Sequence, residues 1–133
     1  MKCDLLRCPV CGQNLEEIGR SLRCGAGHCF DVAKEGYVNL LTGSRPADAM
    51  GDNKQAARFR RDFLNKGYYA LLRDALTARF AGRTGTLLDL CRGEGYYTSA
   101  LGQLPGLTVC GFDLAREMVR LAKRAASASR SRA

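Results

Sequence analysis

The sequence predicts an α/β protein in two parts: a small N-terminal β-hairpin lobe closed by a metal ion, then the opening αβ units of a parallel, helix-covered sheet. Two observations carry this. Cys8, Cys11, Cys24 and His28 stand as Cys-x2-Cys, twelve residues, Cys-x3-His, the ligand spacing of a four-coordinate structural zinc site. Further on, two short apolar runs, Thr86–Leu90 and Leu107–Phe112, flank a glycine-bearing turn and a helical stretch, and an acid stands at the end of each run. That order reads strand, glycine loop, helix, strand, acid.

The lobe occupies residues 1–43. Cys8-Pro9-Val10-Cys11-Gly12 is a tight knuckle able to aim two sulfurs at one metal, and Cys24 with His28 supplies the second pair. Between them a two-stranded hairpin turning near Gly19 is expected, with Leu15, Ile18 and Leu22 as its few apolar contacts. Such a hairpin is marginal alone in water, and a structural zinc supplies the missing stability. Cys29 adjoins His28 and competes with it as fourth ligand, whereas Cys3 lies outside the repeat; His28, the single histidine of the sequence, is preferred. Four protein ligands leave no open position, which argues against a catalytic zinc. A thiol redox role for Cys8 and Cys11 would instead require a reversible disulfide and no metal. After the site, residues 28–41 read as a strand-and-turn connector with Phe30, Tyr37, Val38, Leu40 and Leu41 packing inward.

Residues 44–52 are polar with Pro46 and Gly51 as breakers, and read as a linker. Asp52 or Asn53 is placed to cap a helix running to about Lys66, with Ala56, Phe59 and Phe63 on one stripe and Lys54, Arg58 and Arg61 elsewhere. Those cations either are solvated or meet RNA phosphates. Gly67 ends that helix. A second amphipathic helix follows, its stripe of Tyr68, Leu71, Leu72, Ala75, Leu76 and Phe80 expected to be mainly core, and stops near Gly82.

Thr86–Leu90 is then expected as a buried parallel strand, because such strands are covered on both faces. The turn Cys91-Arg92-Gly93-Glu94-Gly95 opens a helix to about Leu104, Pro105-Gly106 breaks it, and a second strand ends at Asp113. A third helix holds Met118, Val119, Leu121, Ala122 and Ala125. Glycines in such a loop let backbone approach a ligand, and the acid about twenty residues on can accept the two ribose hydroxyls. The opening and third glycines of a dinucleotide fingerprint are missing, which disfavours NAD. Asp89, at the end of the first strand, suits S-adenosylmethionine, whose ammonium group needs acceptors nearby.

Composition sets the outer bounds. The protein has 133 residues, a formal charge of +8 and a pI near 9.4, and it stays basic when three thiolates bind zinc. A basic surface favours a polyanionic partner such as RNA. No apolar stretch approaches the roughly 20 residues of a membrane span, and no leader resembling a signal peptide opens the sequence. Seven cysteines without a leader point to reduced thiols in a cytoplasm rather than a disulfide framework.

Several longer stretches resemble the bacterial 23S rRNA (guanine-N(1))-methyltransferase family. They are His28-x-Phe30-Asp31-x-Ala33-Lys34-Glu35-Gly36-Tyr37-Val38-Asn39-Leu40-Leu41, Gly51-Asp52, Arg60-x2-Phe63-Leu64-x2-Gly67-x-Tyr69, and Asp89-x3-Gly93-Glu94-Gly95-Tyr96-Tyr97. The similarity spans residues 8–124. It implies a zinc lobe that helps recognise an RNA hairpin, joined at residues 53–126 to the N-terminal part of a Rossmann-like class I methyltransferase domain that uses S-adenosylmethionine. By position, Cys8, Cys11, Cys24 and His28 match zinc ligands. Tyr69, Gly93 and Glu94 match cofactor contacts, beside Asp89 and Gly95 of the same loop, and Asp113 matches the ribose-binding acid. The implied partner is a ribosomal RNA stem-loop, with a homodimer as an allowed assembly and no membrane. No residue is matched as catalytic. The family loop normally reads Asp-x-Gly-Cys-Gly-Glu-Gly, and Cys91 and Arg92 depart from it. A side chain at position 91 is costly if the backbone there needs positive φ, and Arg92 adds positive charge beside a cationic sulfonium. The methyltransferase domain is expected to be incomplete, truncated at its C-terminal end, and residues 127–133 are expected to form a disordered tail. The alternative from another class is a non-enzymatic zinc-binding module that docks RNA.

Overall fold

The computed structural model describes residues 5–43 and 54–130. The expected linker at 44–52, its helix cap at Asp52 or Asn53, Cys3 and the last three residues of the expected tail lie outside them. The protein divides into two compact units, Met1–Arg45 and Pro46–Ala133.

In the first unit, β1 (Glu16–Ile18), β2 (Ser21–Arg23) and β3 (Cys29–Asp31) form an antiparallel sheet in the order β1-β2-β3. The hairpin turns at Gly19, whose φ of 64° is in the left-handed region that glycine enters without a Cβ penalty. Leu22 pairs with Glu17 on one side and Phe30 on the other. It is fully buried among Leu6, Cys8, Leu15 and Cys24, with Phe30, Val32, Val38 and Leu40 packed against them. The expected connector thus contributes a third strand. Two expected inward residues are corrected: Ile18 and Leu41 are exposed. Ile18 neighbours Glu17, the partner of Leu22, and successive strand residues point to opposite faces, so it faces away from the core.

The second unit runs α1 (Lys54–Asn65), α2 (Ala70–Phe80), β4 (Gly85–Leu90), α3 (Tyr96–Leu101), β5 (Leu107–Phe112), α4 (Arg116–Arg130). β4 and β5 are parallel, in register from Gly85 opposite Leu107 to Leu90 opposite Phe112, with α3 in the crossover between them. Ala57 of α1 packs with Ala115, just before α4, and with Met118 and Leu121 in its first turns.

Burial departs from expectation in three places. On α1 the buried residue is Ala57, while Phe59 and Phe63 are exposed. No residue of α2 is buried, and Leu71 is 86% exposed, so its stripe is not core. The strand expected to be buried is largely open, with Leu88 and Leu90 exposed. Its alternation supplies the reason. Asp89 is bonded to Thr98 of α3, so that face carries helices, and Leu88 and Leu90 point to the opposite face, which no described element covers. Finally, α4 continues to Arg130, where an irregular tail was expected from residue 127; the alanines of this segment are the strongest helix formers. Among the described residues no helix is long and apolar enough to cross a membrane.

Candidate metal centre and glycine-loop site

The four expected metal ligands converge. The donor atoms of Cys8, Cys11, Cys24 and His28 all lie within 4.8 Å of one another. Two turns bring them there. Gly12 N–H donates to Cys8 O (2.8 Å) and Cys8 N–H to Gln13 O (2.8 Å), which folds the first knuckle. Gly27 N–H donates to Cys24 O (2.9 Å) and Cys24 N–H to His28 O (3.1 Å), which folds the second. Gln13 Oε1 joins the two by accepting from Ala26 N–H at 2.9 Å.

Cys11 Sγ stands 3.6 Å from Cys24 Sγ, and Cys24 Sγ stands 3.3 Å from His28 Nδ1. A tetrahedron with zinc–sulfur and zinc–nitrogen bonds of ordinary length has S–S edges of about 3.8 Å and S–N edges of about 3.5 Å. The donor set therefore fits a four-coordinate zinc. Burial alone would push the Cys8 thiol up, but the backbone amides of Cys11 and Val10 and the neighbouring thiols outweigh it and draw it below its ordinary value. Cys11 goes the other way: the Gln13 amide alone would lower it, but burial and the Cys8 and Cys24 thiols outweigh that amide and hold it above its own, as thiols gathered round one point oppose each other's ionisation. Cys29, the rival fourth ligand, is exposed on β3 and outside the cluster.

In the second unit the loop after β4 gathers most of the residues expected to hold a cofactor. Gly93 N–H donates to Asp113 Oδ2 at 2.7 Å, and Ala115 N–H donates to Asp113 Oδ1 at 2.8 Å. The acid at the end of β5 thereby latches the loop while its remaining lone pairs stay available. Gly93 has φ 56°, and a Cβ built on it would meet nothing within 4 Å, so the loop presents open backbone there. Asp89 accepts from the Thr98 hydroxyl, which fixes its carboxylate toward the start of α3.

Two neighbours in the loop face inward instead. Gly95 (φ 83°) is buried against α4, where a Cβ would come within 3.1 Å of Ala122 Cβ, so it sets close loop–helix packing. Glu94 is buried and ion-paired with Arg61 of α1 (Nε–Oε2 2.8 Å), and Arg61 also reaches Leu121 O at 3.3 Å. Tyr69 sits just before α2, half exposed, its ring 5.8 Å from that of Phe63. Tyr69 also acts through space on Tyr97, whose hydroxyl is held above its ordinary value by burial first and then by Tyr69 and Tyr96. Sequence reasoning missed Arg61 and Thr98 as partners. Arg61 is one cation among several on a helix, and only the tertiary fold shows which one turns inward. Thr98, nine residues after Asp89, sits one turn into the helix that a strand–loop–helix unit would stack beside it, a signal that was present.

The departures from the family loop have structural counterparts. Among the described residues, Cys91 is the only non-glycine with positive φ, at 57°. Arg92 N–H donates to Phe112 O and Arg92 O accepts from Gly95 N–H, each at 3.0 Å, so the loop's turn geometry is kept.

Residues 6–44 match the model of a zinc-ribbon family described as "RlmA, N-terminal". The sequence is 37% identical over 126 residues, 90% of its length, to the Streptomyces fradiae 23S rRNA (guanine(748)-N(1))-methyltransferase, and covers 44% of that protein. It is 52% identical over 68 residues (48% of its own length, 22% of the relative) to a candidate 23S rRNA (guanine-N(1)-)-methyltransferase of Micromonospora griseorubida. A candidate enzyme of the same name from Bacillus subtilis (strain 168) is 32% identical over 119 residues, 84% of this protein and 39% of the relative. The protein resembles the 23S rRNA (guanine-N(1))-methyltransferases across both units, and spans less than half the length of these relatives.

Proposed function

We propose that this protein is the zinc-lobe and cofactor-cradling portion of an S-adenosylmethionine-dependent methyltransferase that modifies the N(1) position of a guanine in large-subunit ribosomal RNA. The observation that carries this reading is the Asp113–Gly93 latch at the ends of two parallel strands, in a sequence similar over most of its length to a named methyltransferase of that kind. Residues 1–43 are the RNA-recognition lobe, closed by zinc on Cys8, Cys11, Cys24 and His28. Residues 53–126 carry the cradle. The protein works in the cytoplasm on an RNA stem-loop, and a homodimer is compatible with this role.

S-adenosylmethionine, when bound, supplies an electrophilic methyl group. The protein's own residues bind and orient. Asp113 offers its remaining acceptor capacity to ribose hydroxyls, Gly93 offers open backbone beside it, and Asp89 and Tyr69 are further cofactor contacts. Glu94 and Gly95 hold the loop in place from behind. The net charge of +8 draws RNA phosphates to the surface.

The test is methyl transfer to 23S rRNA by this protein fused to the remaining portion of the Streptomyces fradiae relative. Methylation at N(1) blocks the base-pairing edge of guanine, so reverse transcription is expected to stop at one guanine. A folded, zinc-loaded fusion that binds the RNA and transfers no methyl group would overturn the reading, and would leave the RNA-docking zinc module in its place.

A further inference from the structure

Arg92 is a cation set into the base of the cradle. Its backbone bridges the strand ends through Phe112 O, and its alkyl stem passes directly over Gly111 of β5: a carbon built on Gly111 would fall 2.2 Å from Arg92 Cδ. The arginine thus fills space that only a glycine at 111 leaves free. Its guanidinium reaches Val119 O at 3.4 Å through Nη2, while Nε is buried with no hydrogen-bond partner. Asp89 and Asp113 act on it through space, but they are engaged by the Thr98 hydroxyl and by the amides of Gly93 and Ala115. The charge is fixed, because a guanidinium stays protonated at neutral pH, and its partial burial weakens screening by salt.

We propose that Arg92 biases the glycine-loop cradle against a sulfonium ligand, so that S-adenosylhomocysteine, with its uncharged sulfur, is favoured over S-adenosylmethionine. The proposal rests on the reading of the cradle as an adenosyl-cofactor site and adds a discriminating residue to it. The two ligands differ by one methyl group and one positive charge. The negative charges of Asp89 and Asp113, which favour any added cation in the cradle, already act on the guanidinium through space, so their pull on a second positive charge is partly cancelled.

Equilibrium dialysis of the protein against each ligand tests this, comparing the native form with Arg92→Met, which keeps the length and removes the charge, and with Arg92→Lys, which keeps the charge. Removing a unit charge from a partly buried site should shift the ratio of the two dissociation constants toward S-adenosylmethionine by roughly tenfold. The lysine variant should keep the native ratio. Circular dichroism identifies any variant that fails to fold, and Arg92→Cys, the residue at this place in the family loop, then serves as the second neutral variant. Ligands that both bind with an unchanged ratio in the neutral variants would overturn the role of Arg92 and leave the cofactor site standing. If no folded form binds either ligand, the cofactor site itself falls, and this inference with it.

Discussion

Replacing Cys91 with glycine should stabilise the second unit, against the usual trend for mutations. Cys91 holds φ 57°, where an L-residue's Cβ crowds the following carbonyl at a cost of about 1–2 kcal/mol. Glycine removes that cost but adds about 0.5–1 kcal/mol of unfolded-state entropy. The side chain is exposed, so little packing is lost, and the net gain should be about 0.5–1 kcal/mol. In a unit of this size that corresponds to roughly 3–6 °C in Tm. Cys91→Ala is the control: it keeps the Cβ and the strain, so it should melt close to the native protein. The sequence has no tryptophan and five tyrosines, and only Tyr37 lies in the first unit, so tyrosine fluorescence mainly reports the second. A Cys91→Gly melting point at or below that of Cys91→Ala would refute the strain argument.

Removing the metal should unfold the first lobe, because its small core cannot compensate for the lost ligand bonds; a chelator titration followed by circular dichroism checks this. Cys24→Ser should abolish stoichiometric zinc binding measured by metal analysis, whereas Cys29→Ser should leave it at one ion per molecule. Arg61→Met strands the Glu94 carboxylate, whose side chain is 7% exposed, and should destabilise the second unit by about 2–3 kcal/mol in urea unfolding, below the range for fully buried pairs because Arg61 is 32% exposed. Alkylation should separate two thiols: exposed Cys91 reacts first, while Cys110, held above its ordinary value by burial, lags at pH 8 in peptide mass mapping. The sign follows. The unfolded Cys110 thiol ionises before the folded one does, so its stabilising contribution is full at neutral pH and is lost as pH rises through the folded value.

Spacing made the metal centre legible, because a knuckle fixes its ligands locally and needs no knowledge of the rest of the protein. The order of strand, loop, helix and strand was legible for a similar reason: Pro105-Gly106 and the glycine loop punctuate it, and the apolar runs are short and separate. What the sequence concealed was which faces are covered. Periodicity identifies an apolar stripe on α2, but it cannot say that another element meets it, and Leu71 stands open. The same limit applies to β4, where Leu88 and Leu90 match a two-sided burial pattern although helices pack on only one side. At residue 127 the error ran the other way, since a low-complexity Ala/Ser/Arg run satisfies helix propensity as readily as disorder. In the candidate site, Asp113 and Gly93 were legible by position, whereas the inward turn of Glu94 depends on Arg61, 33 residues away.

These attachments bear on how the two departures in the loop act. The segment from Cys91 to Gly95 is fastened independently by Asp113 at Gly93, by Arg61 at Glu94 and by Ala122 against Gly95. A loop held at three points by three different elements has little freedom to relax around a foreign residue. Cys91 therefore keeps the positive φ that its position imposes and carries the strain, rather than altering the turn. Arg92 likewise cannot swing its backbone outward, because its N–H and carbonyl are both committed, so its long stem has to cross Gly111 and leave its charge beneath the cradle. Such preorganisation is what a ligand site requires. It also means that the substitutions at 91 and 92 are felt as energy, one as strain and one as electrostatic bias, with the shape of the loop preserved.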